Sequence, residues 1–240
     1  MQWNLIVEPR GRPGAENMAI DEALLAEADR TGKAFLRLYR WNPPCLSLGR
    51  NELAIERPEI AVVRRPTGGR AVWHEHEVTY AVAAPISMFG RLRDAYRAIH
   101  ERLAAALRSL GVDAKLADGP DRADRPDRPG RRLCFASVAG GEILAQGRKL
   151  VGSAQVRRDR ALLQHGSILL DGSQEVVGEL SREHGAESNE TTLRQVLGRP
   201  VTFEEVAEAI VCSWGAAFRP SAPPPVRPSA FLDPAWTWRR

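Results

Sequence analysis

The apolar and polar positions along the chain change period several times, and each change marks an element. Residues 3–7 read as a short strand. Over 17–30, Ile20, Leu24 and Ala28 recur at helical spacing and predict a helix. Residues 35–39 alternate as a strand does, and Asn42, Pro43 and Pro44 break it. Short apolar runs follow over 45–49 and 60–64, and 71–83 reads as one long strand or a strand pair. The clearest helix spans 91–110, where Leu92, Tyr96, Ile99, Leu103, Leu107 and Leu110 share a face and Gly111 is the stop. Residues 142–146 and 149–156 have a hairpin pattern turning near Gly147, and 161–170 is the next strand. Thr192 with Gln195 and Thr202 with Glu205 have capping-box spacing. The helix after Thr202 carries Val206, Ala209, Ile210 and Trp214 inward, with Cys212 as an ordinary helix residue. Strands, hairpins and helices mix irregularly, which predicts an α+β fold. The expected architecture is one domain over 1–218, with a central mixed, largely antiparallel sheet flanked by helices.

Two stretches break the pattern. Residues 118–132 alternate Asp, Arg and Pro with Ala123 among them, and read as a solvated loop just before Cys134. That loop is either a lid or a tolerated surface insertion. Residues 219–240 are Pro-rich at their start and read as a C-terminal tail.

Composition narrows the function classes. The 240 residues are 43% hydrophobic and 27% charged, enough for one domain with a substantial core. No apolar run approaches the ~18 residues of a membrane span, and the N-terminus lacks a signal-peptide pattern. The three cysteines, Cys45, Cys134 and Cys212, are odd in number and widely spaced. They point to free thiols in a reducing compartment, the cytoplasm. The net charge of +4 suits an acidic protein partner. No basic run is interleaved with aromatics, so nucleic acid is not an expected partner.

Two segments carry the candidate chemistry. The first runs Arg64-Arg65-Pro66-Thr67-Gly68-Gly69-Arg70-Ala71-Val72-Trp73-His74. Consecutive amides at a Gly-Gly turn beside Arg64 and Arg65 make a cradle for a phosphate or an acyl carbonyl, or else simply a hairpin turn. The second runs from Gly147 through Lys149, Gly152, Ser153 and Gln155 to Gln164-His165-Gly166-Ser167. Lysine occurs only at 33, 115 and 149, against 34 basic residues in all. In so arginine-rich a chain, Lys149 beside Arg148 is a candidate for what arginine does poorly: a compact ammonium with an adjustable pKa. Cys134 lies 15 residues upstream of Lys149. A thiolate is a strong nucleophile toward thioesters, and a nearby cation favours it. On the residues alone, Cys134 is either that nucleophile or a small buried hydrophobe beside Phe135. His74 and His76 share a face if 71–83 is one strand. Glu75 and Glu77 then point the other way, so no third metal ligand offers itself and no metal is expected.

Taken together, the motifs resemble the biotin/lipoate protein ligase superfamily. The Gly-Gly loop from Arg64 to His74 resembles its substrate loop, and 147–155 with 164–167 resembles its lysine loop and the following strand. Asn17-Met18-Ala19-Ile20-Asp21-Glu22-Ala23-Leu24-Leu25 and Trp41-Asn42-Pro43-Pro44 also match, over roughly 3–215 in all. The resemblance implies the lipoate ligase-like catalytic fold.

Within the superfamily, Cys134-Phe135 ahead of Gly-Arg-Lys is similar to cysteine-dependent octanoyltransferases of the LipM type. That resemblance implies an octanoyl group moved from acyl carrier protein, through a Cys134 thioester, to a lysine of a lipoyl domain or a glycine cleavage H protein. It makes Lys149 the activating cation, and calls for no ATP and no metal. Arg64, Arg65, Thr67, Gly68, Gly69 and His74 would shape one wall of the substrate pocket. Gly152, Ser153, Gln155, His165 and Gly166 would shape the other. Residues 136–141 lack the aromatic and proline of a close transferase match. An ATP- and Mg-dependent lipoate ligase is the enzyme alternative, and a non-catalytic acyl-binding protein the other.

Overall fold

A computed structural model of the chain describes residues 2–52, 59–118, 140–180 and 189–238. The chain opens with β1 (Gln2–Arg12), α1 (Gly14–Thr31) and β2 (Ala34–Trp41). β3 (Cys45–Leu48), β4 (Ala61–Arg64), β5 (Val72–His74) and β6 (Glu77–Pro85) follow. The middle holds α2 (Leu92–Ser109), β7 (Ala114–Leu116), β8 (Ile143–Ala145), β9 (Arg148–Lys149), β10 (Val151–Arg158) and β11 (Ala161–Leu169). Last come α3 (Glu175–Leu180), α4 (Leu193–Leu197), α5 (Phe203–Ser213), β12 (Ala217–Pro220), α6 (Ser229–Leu232) and α7 (Pro234–Thr237).

The main sheet is ordered β10-β11-β6-β2-β1-β12. Its β10–β11, β11–β6 and β6–β2 pairs are antiparallel, while β1 runs parallel to both β2 and β12. This is the mixed sheet expected of an α+β fold. Two small sheets, β4-β3-β5 and β7-β8-β9, flank it. The central strands read as near-continuous apolar runs because both faces are covered. On β6, Val78, Tyr80, Val82 and Ala84 join the core with Ile99, Leu103 and Leu107 of α2 and Ile210 of α5. Ala81 and Ala83 turn to the opposite core, with Ile20, Leu24 and Leu25 of α1. Among the described residues, no helix is long and apolar enough to cross a membrane.

The caps explain where the late helices begin. Thr202 and Glu205 form both halves of a capping box at α5. At α4 only half forms: Thr192 accepts from the Gln195 amide, but the Gln195 side chain accepts from Thr191 instead.

Three local expectations change. Residues 71–83 are neither one strand nor a simple pair in one sheet. β5 joins the small sheet, the chain turns at Glu75 and His76, and β6 enters the main sheet. His74 is therefore buried while His76 is exposed, and Glu77, expected on the other face, hydrogen bonds to His74. The hairpin near Gly147 is real but short. Gln146 and Gly147 both have positive φ (52° and 75°), as a tight primed turn requires, and only Leu144↔Lys149 and Ala145↔Arg148 pair across it. The chain then crosses into the main sheet as β10. Third, residues 219–238 do not hang from the domain. β12 takes in Arg219 and Pro220, and Phe231 is buried in the α1-side core. The loop 118–132 lies, from residue 119 onward, outside the described residues, and so does Cys134.

Candidate active site

β4 delivers the arginine pair to the Gly-Gly loop, and successive residues of an extended chain point opposite ways. Arg65 turns inward. Its Nη1 donates to the Ser47 carbonyl and Oγ, both at 3.0 Å. Its Nε and Nη2 donate to the Gly68 carbonyl at 3.2 and 3.0 Å, and Nη2 also to the Arg70 carbonyl at 2.6 Å. The loop thus wraps around a buried cation that satisfies its carbonyls. Gly69 has φ of 93°, and its carbonyl lies 1.9 Å from where a Cβ on Gly49 would sit. Only glycine at 49 allows that approach. Arg64 turns the other way, and its guanidinium is spent on backbone carbonyls away from the pocket.

Arg65, His74, Gly152, Ser153, His165 and Gly166, all picked out by sequence, line one pocket. It encloses about 380 Å³ of non-protein space, part of it open to solvent. Met18, Tyr39, Trp41 and Val72 add apolar surface to its wall. Arg64, Thr67, Gly68, Gly69, Gln155 and Lys149 are not among its lining residues. Gly166 is required where β11 passes β10, because a Cβ there would lie 2.4 Å from the Gly152 carbonyl oxygen and 2.5 Å from Ser153 Oγ.

Behind the wall, polar groups form closed networks. His165 Nδ1 lies 2.9 Å from Asp21 Oδ2, and Nε2 lies 2.7 Å from Thr67 Oγ1. Burial pushes His165 below the usual histidine range, although Asp21 pulls the other way. Burial acts to raise Asp21, yet its bonds to His165 and Arg37 hold it below the ordinary carboxylate value. The consistent protonation is an ionised Asp21 accepting from Nδ1–H of a neutral imidazole whose Nε2 accepts from Thr67. Arg37 completes the cluster with donors to Asp21 at 2.8 Å and Glu8 at 2.7 Å. Tyr39 donates to Asp21 at 2.9 Å, and burial followed by that carboxylate raises its hydroxyl well above the phenol range.

His74 stacks on Trp41, with ring centroids 3.9 Å apart and planes 10° from parallel. Its Nδ1 lies 2.8 Å from Glu77 Oε1 and its Nε2 lies 2.7 Å from Ser47 Oγ. Glu77 Oε1 also accepts from Ser167 at 2.9 Å and from Thr79. Glu77 Oε2 is buried with no hydrogen-bond partner among the described residues. On the other wall, Ser153 Oγ lies 2.7 Å from Tyr80 Oη and 2.8 Å from His100 Nε2, and His100 Nδ1 donates to the Gly141 carbonyl at 2.6 Å. Lys149 is fully buried, with its ammonium 2.8 Å from Glu142 Oε1. Its backbone bridges to residues 189–191 through Asn189 and Thr191.

Sequence reasoning missed Asp21, Trp41, Glu77, Tyr80, His100 and Glu142. Asp21 carried a usable signal, as a charge one turn from Met18, Leu24 and Leu25 on the buried face of α1. Glu77 opens a strand that is otherwise wholly apolar or aromatic apart from Thr79. Among the described residues, no group of three or more His, Cys, Asp or Glu side chains is placed to hold a metal.

Residues 13–215 match the family model of the lipoyl protein ligase A/B catalytic domain. The chain belongs to this family. An octanoyltransferase LipM from Symbiobacterium thermophilum is 38% identical over 239 residues, covering 90% of this chain and 86% of the relative. The octanoyltransferase LipM of Bacillus subtilis is 34% identical, covering 86% of this chain and 79% of its own. The fold is shared with protein Ta0514 of T. acidophilum, solved with lipoic acid bound. There the TM-score is 0.76 at 21% identity, covering 99% of this chain and 100% of that one.

Proposed function

We propose the route by which this chain, an octanoyltransferase of protein lipoylation, moves its acyl group. The Cys134 thiolate attacks the thioester carbonyl of octanoyl-acyl carrier protein, and the carrier's pantetheine thiol leaves, taking a proton. The ε-amine of a lysine on a lipoyl domain or H protein then attacks the Cys134 thioester. An amide forms and the Cys134 thiol is released. Lys149, held by Glu142, supplies the cation that favours the thiolate and the polarised carbonyl. The thioester itself carries the driving force, so the route needs neither ATP nor metal, and it belongs to the cytoplasm, where both carriers are made.

One observation supports this reading above the others: the pocket gathers six of the sequence-selected residues around an apolar surface of Met18, Trp41 and Val72. Its polar neighbours are engaged with one another rather than turned to the ligand, which suits a saturated acyl chain bound by exclusion of water. Met18, Trp41, His74 and His165 are proposed to hold the chain, with Gly152, Ser153 and Gly166 opposite. Thr67 and Gly68 bind His165 and Arg65 from outside the lining, and Gly69 packs the loop on Gly49.

The test is intact-protein mass spectrometry after mixing with octanoyl-acyl carrier protein and no ATP. The expected result is a hydroxylamine-labile octanoyl adduct that is absent in Cys134→Ala and strongly slowed in Lys149→Ala. No adduct, with carrier modification appearing only when free lipoate and ATP are supplied, would overturn the route in favour of a ligase. Binding of octanoate without turnover under either condition would leave a non-catalytic acyl-binding protein.

A further inference from the structure

The C-terminal segment lies outside the matched span of 13–215, yet it is tied to the substrate loop. The tie is Arg64, whose side chain is fully buried. Its Nε donates to the carbonyls of Trp236 at 3.1 Å and Thr237 at 3.0 Å. Its Nη1 donates to the carbonyls of Gly49 and Glu52, each at 2.7 Å. In return, the Trp236 indole Nε1 donates to the Arg64 carbonyl at 2.9 Å. Phe231 anchors the segment edge-to-face against Trp236, with centroids 6.3 Å apart.

One partner of Arg64, Gly49, also touches the pocket loop. Gly49 is the residue over which the Gly69 carbonyl closes, and the amide of the adjacent Arg50 donates to the Thr67 carbonyl at 2.8 Å. The peptide whose carbonyl Trp236 holds is the one that leads into Arg65, the cation around which the loop is wrapped. Turning that peptide would swing Arg65 away from Ser47 and Gly68. A segment serving stability alone needs only apolar burial. This one makes reciprocal hydrogen bonds to the residue that aims a pocket side chain.

We propose that Trp236 is a positioning residue: by clasping the Arg64 peptide, the C-terminal segment fixes the Arg65 loop and thereby sets affinity for the acyl donor. The identity of that donor rests on the transferase reading; the clasp itself does not. A buried carbonyl that loses a donor is held less firmly, and the loop is freer to relax toward other arrangements.

The test uses the full chain with Trp236→Phe, which keeps a ring and removes the indole N–H. Leu232→Ser is the control, because Leu232 is 65% exposed on the same segment. Calorimetry follows binding of an octanoyl amide analogue of the pantetheine thioester, which cannot be transferred, beside kcat and KM for transfer. Trp236→Phe is expected to raise Kd and KM about 5- to 10-fold with kcat within about twofold, and Leu232→Ser to leave all three unchanged. Binding as tight as wild type in Trp236→Phe, whatever its melting temperature, would overturn the proposal. So would equal weakening in Leu232→Ser. If Trp236→Phe fails to fold, Arg64→Lys, which shortens the reach to Trp236 and Thr237, is read in the same way. A wild type that binds the analogue but transfers nothing without ATP refutes the transferase reading, and the clasp is then judged on Kd alone.

Discussion

Two histidines flank the pocket and are wired almost alike. Each sets Nδ1 against a carboxylate and Nε2 against a hydroxyl: His165 between Asp21 and Thr67, His74 between Glu77 and Ser47. Their carboxylates differ. Asp21 faces the Arg37 guanidinium as well as Tyr39, so its charge is met by an opposite charge inside the core. Glu77 is met by the hydroxyls of Thr79 and Ser167, and one of its oxygens has no hydrogen-bond partner among the described residues. Attraction between full charges grows as the dielectric falls, whereas hydroxyl dipoles offer less. One hydrogen-bond pattern thus serves as a stiff brace against α1 and as a softer one at the β5–β6 turn. The soft side carries the ring that stacks on Trp41.

The comparison breaks most visibly at Asp21. Asp21→Asn leaves Arg37 with Glu8 as its remaining carboxylate and presents it with an amide, and is expected to cost about 3–5 kcal/mol of stability. Urea unfolding reads this, and a loss equal to that of Glu77→Gln would make the two braces equivalent. Glu77→Gln keeps one acceptor oxygen for His74 and the hydroxyls, and is expected to cost about 1–3 kcal/mol. A loss larger than that of Asp21→Asn would reverse the ranking.

Acid sharpens the same contrast. His165 is held below the reference histidine value of 6.5, chiefly by burial, so the unfolded chain takes up the proton first. Its contribution to stability is complete above about pH 6.5 and is lost as pH falls through that value toward its lower folded one. Asp21, held below its reference of 3.8 because His165 and Arg37 outweigh burial, adds a further loss at more acidic pH, also as pH falls. Unfolding free energy should therefore decline as pH falls through about 6.5, and His165→Gln should flatten that decline. A variant with the same slope as wild type would remove His165 as the cause. The smallest effect is expected from Thr67→Val, which deletes the hydroxyl bound by His165 Nε2, at about 0.5–1.5 kcal/mol by thermal unfolding.

Much of this was legible along the chain, for identifiable reasons. α2 has six apolar residues at helical spacing and a glycine stop, and it appeared within a residue of its expected ends. Arg65, His74, Gly152, Ser153, His165 and Gly166 sit in or beside glycine motifs, where local composition betrays an unusual backbone. Lys149 stood out because lysine is scarce. Its partner Glu142 was hidden: a buried carboxylate and a solvated one are spelled alike, and only the tertiary fold brings the cation to it. Arg64 and Arg65 read as one basic pair, yet strand geometry sends them to opposite faces. The proline-rich end read as a tail because prolines forbid regular ladders, while the contact that docks it comes from Trp236, 172 positions from its partner Arg64.

The parallel pairing of β1 with β12 has a consequence for the chain's birth. Gln2 pairs with Ala217 and Trp3 with Phe218, so β1 leaves a ribosome about 200 residues ahead of the strand that covers one of its edges. At about 5–20 residues per second, roughly 10–40 s pass between the two. Throughout that interval the β1 edge offers unpaired amides and carbonyls to any neighbouring strand. Nascent chains of this protein are therefore expected to be more sticky before β12 emerges than after it, with solubility gained as β12 pairs with β1.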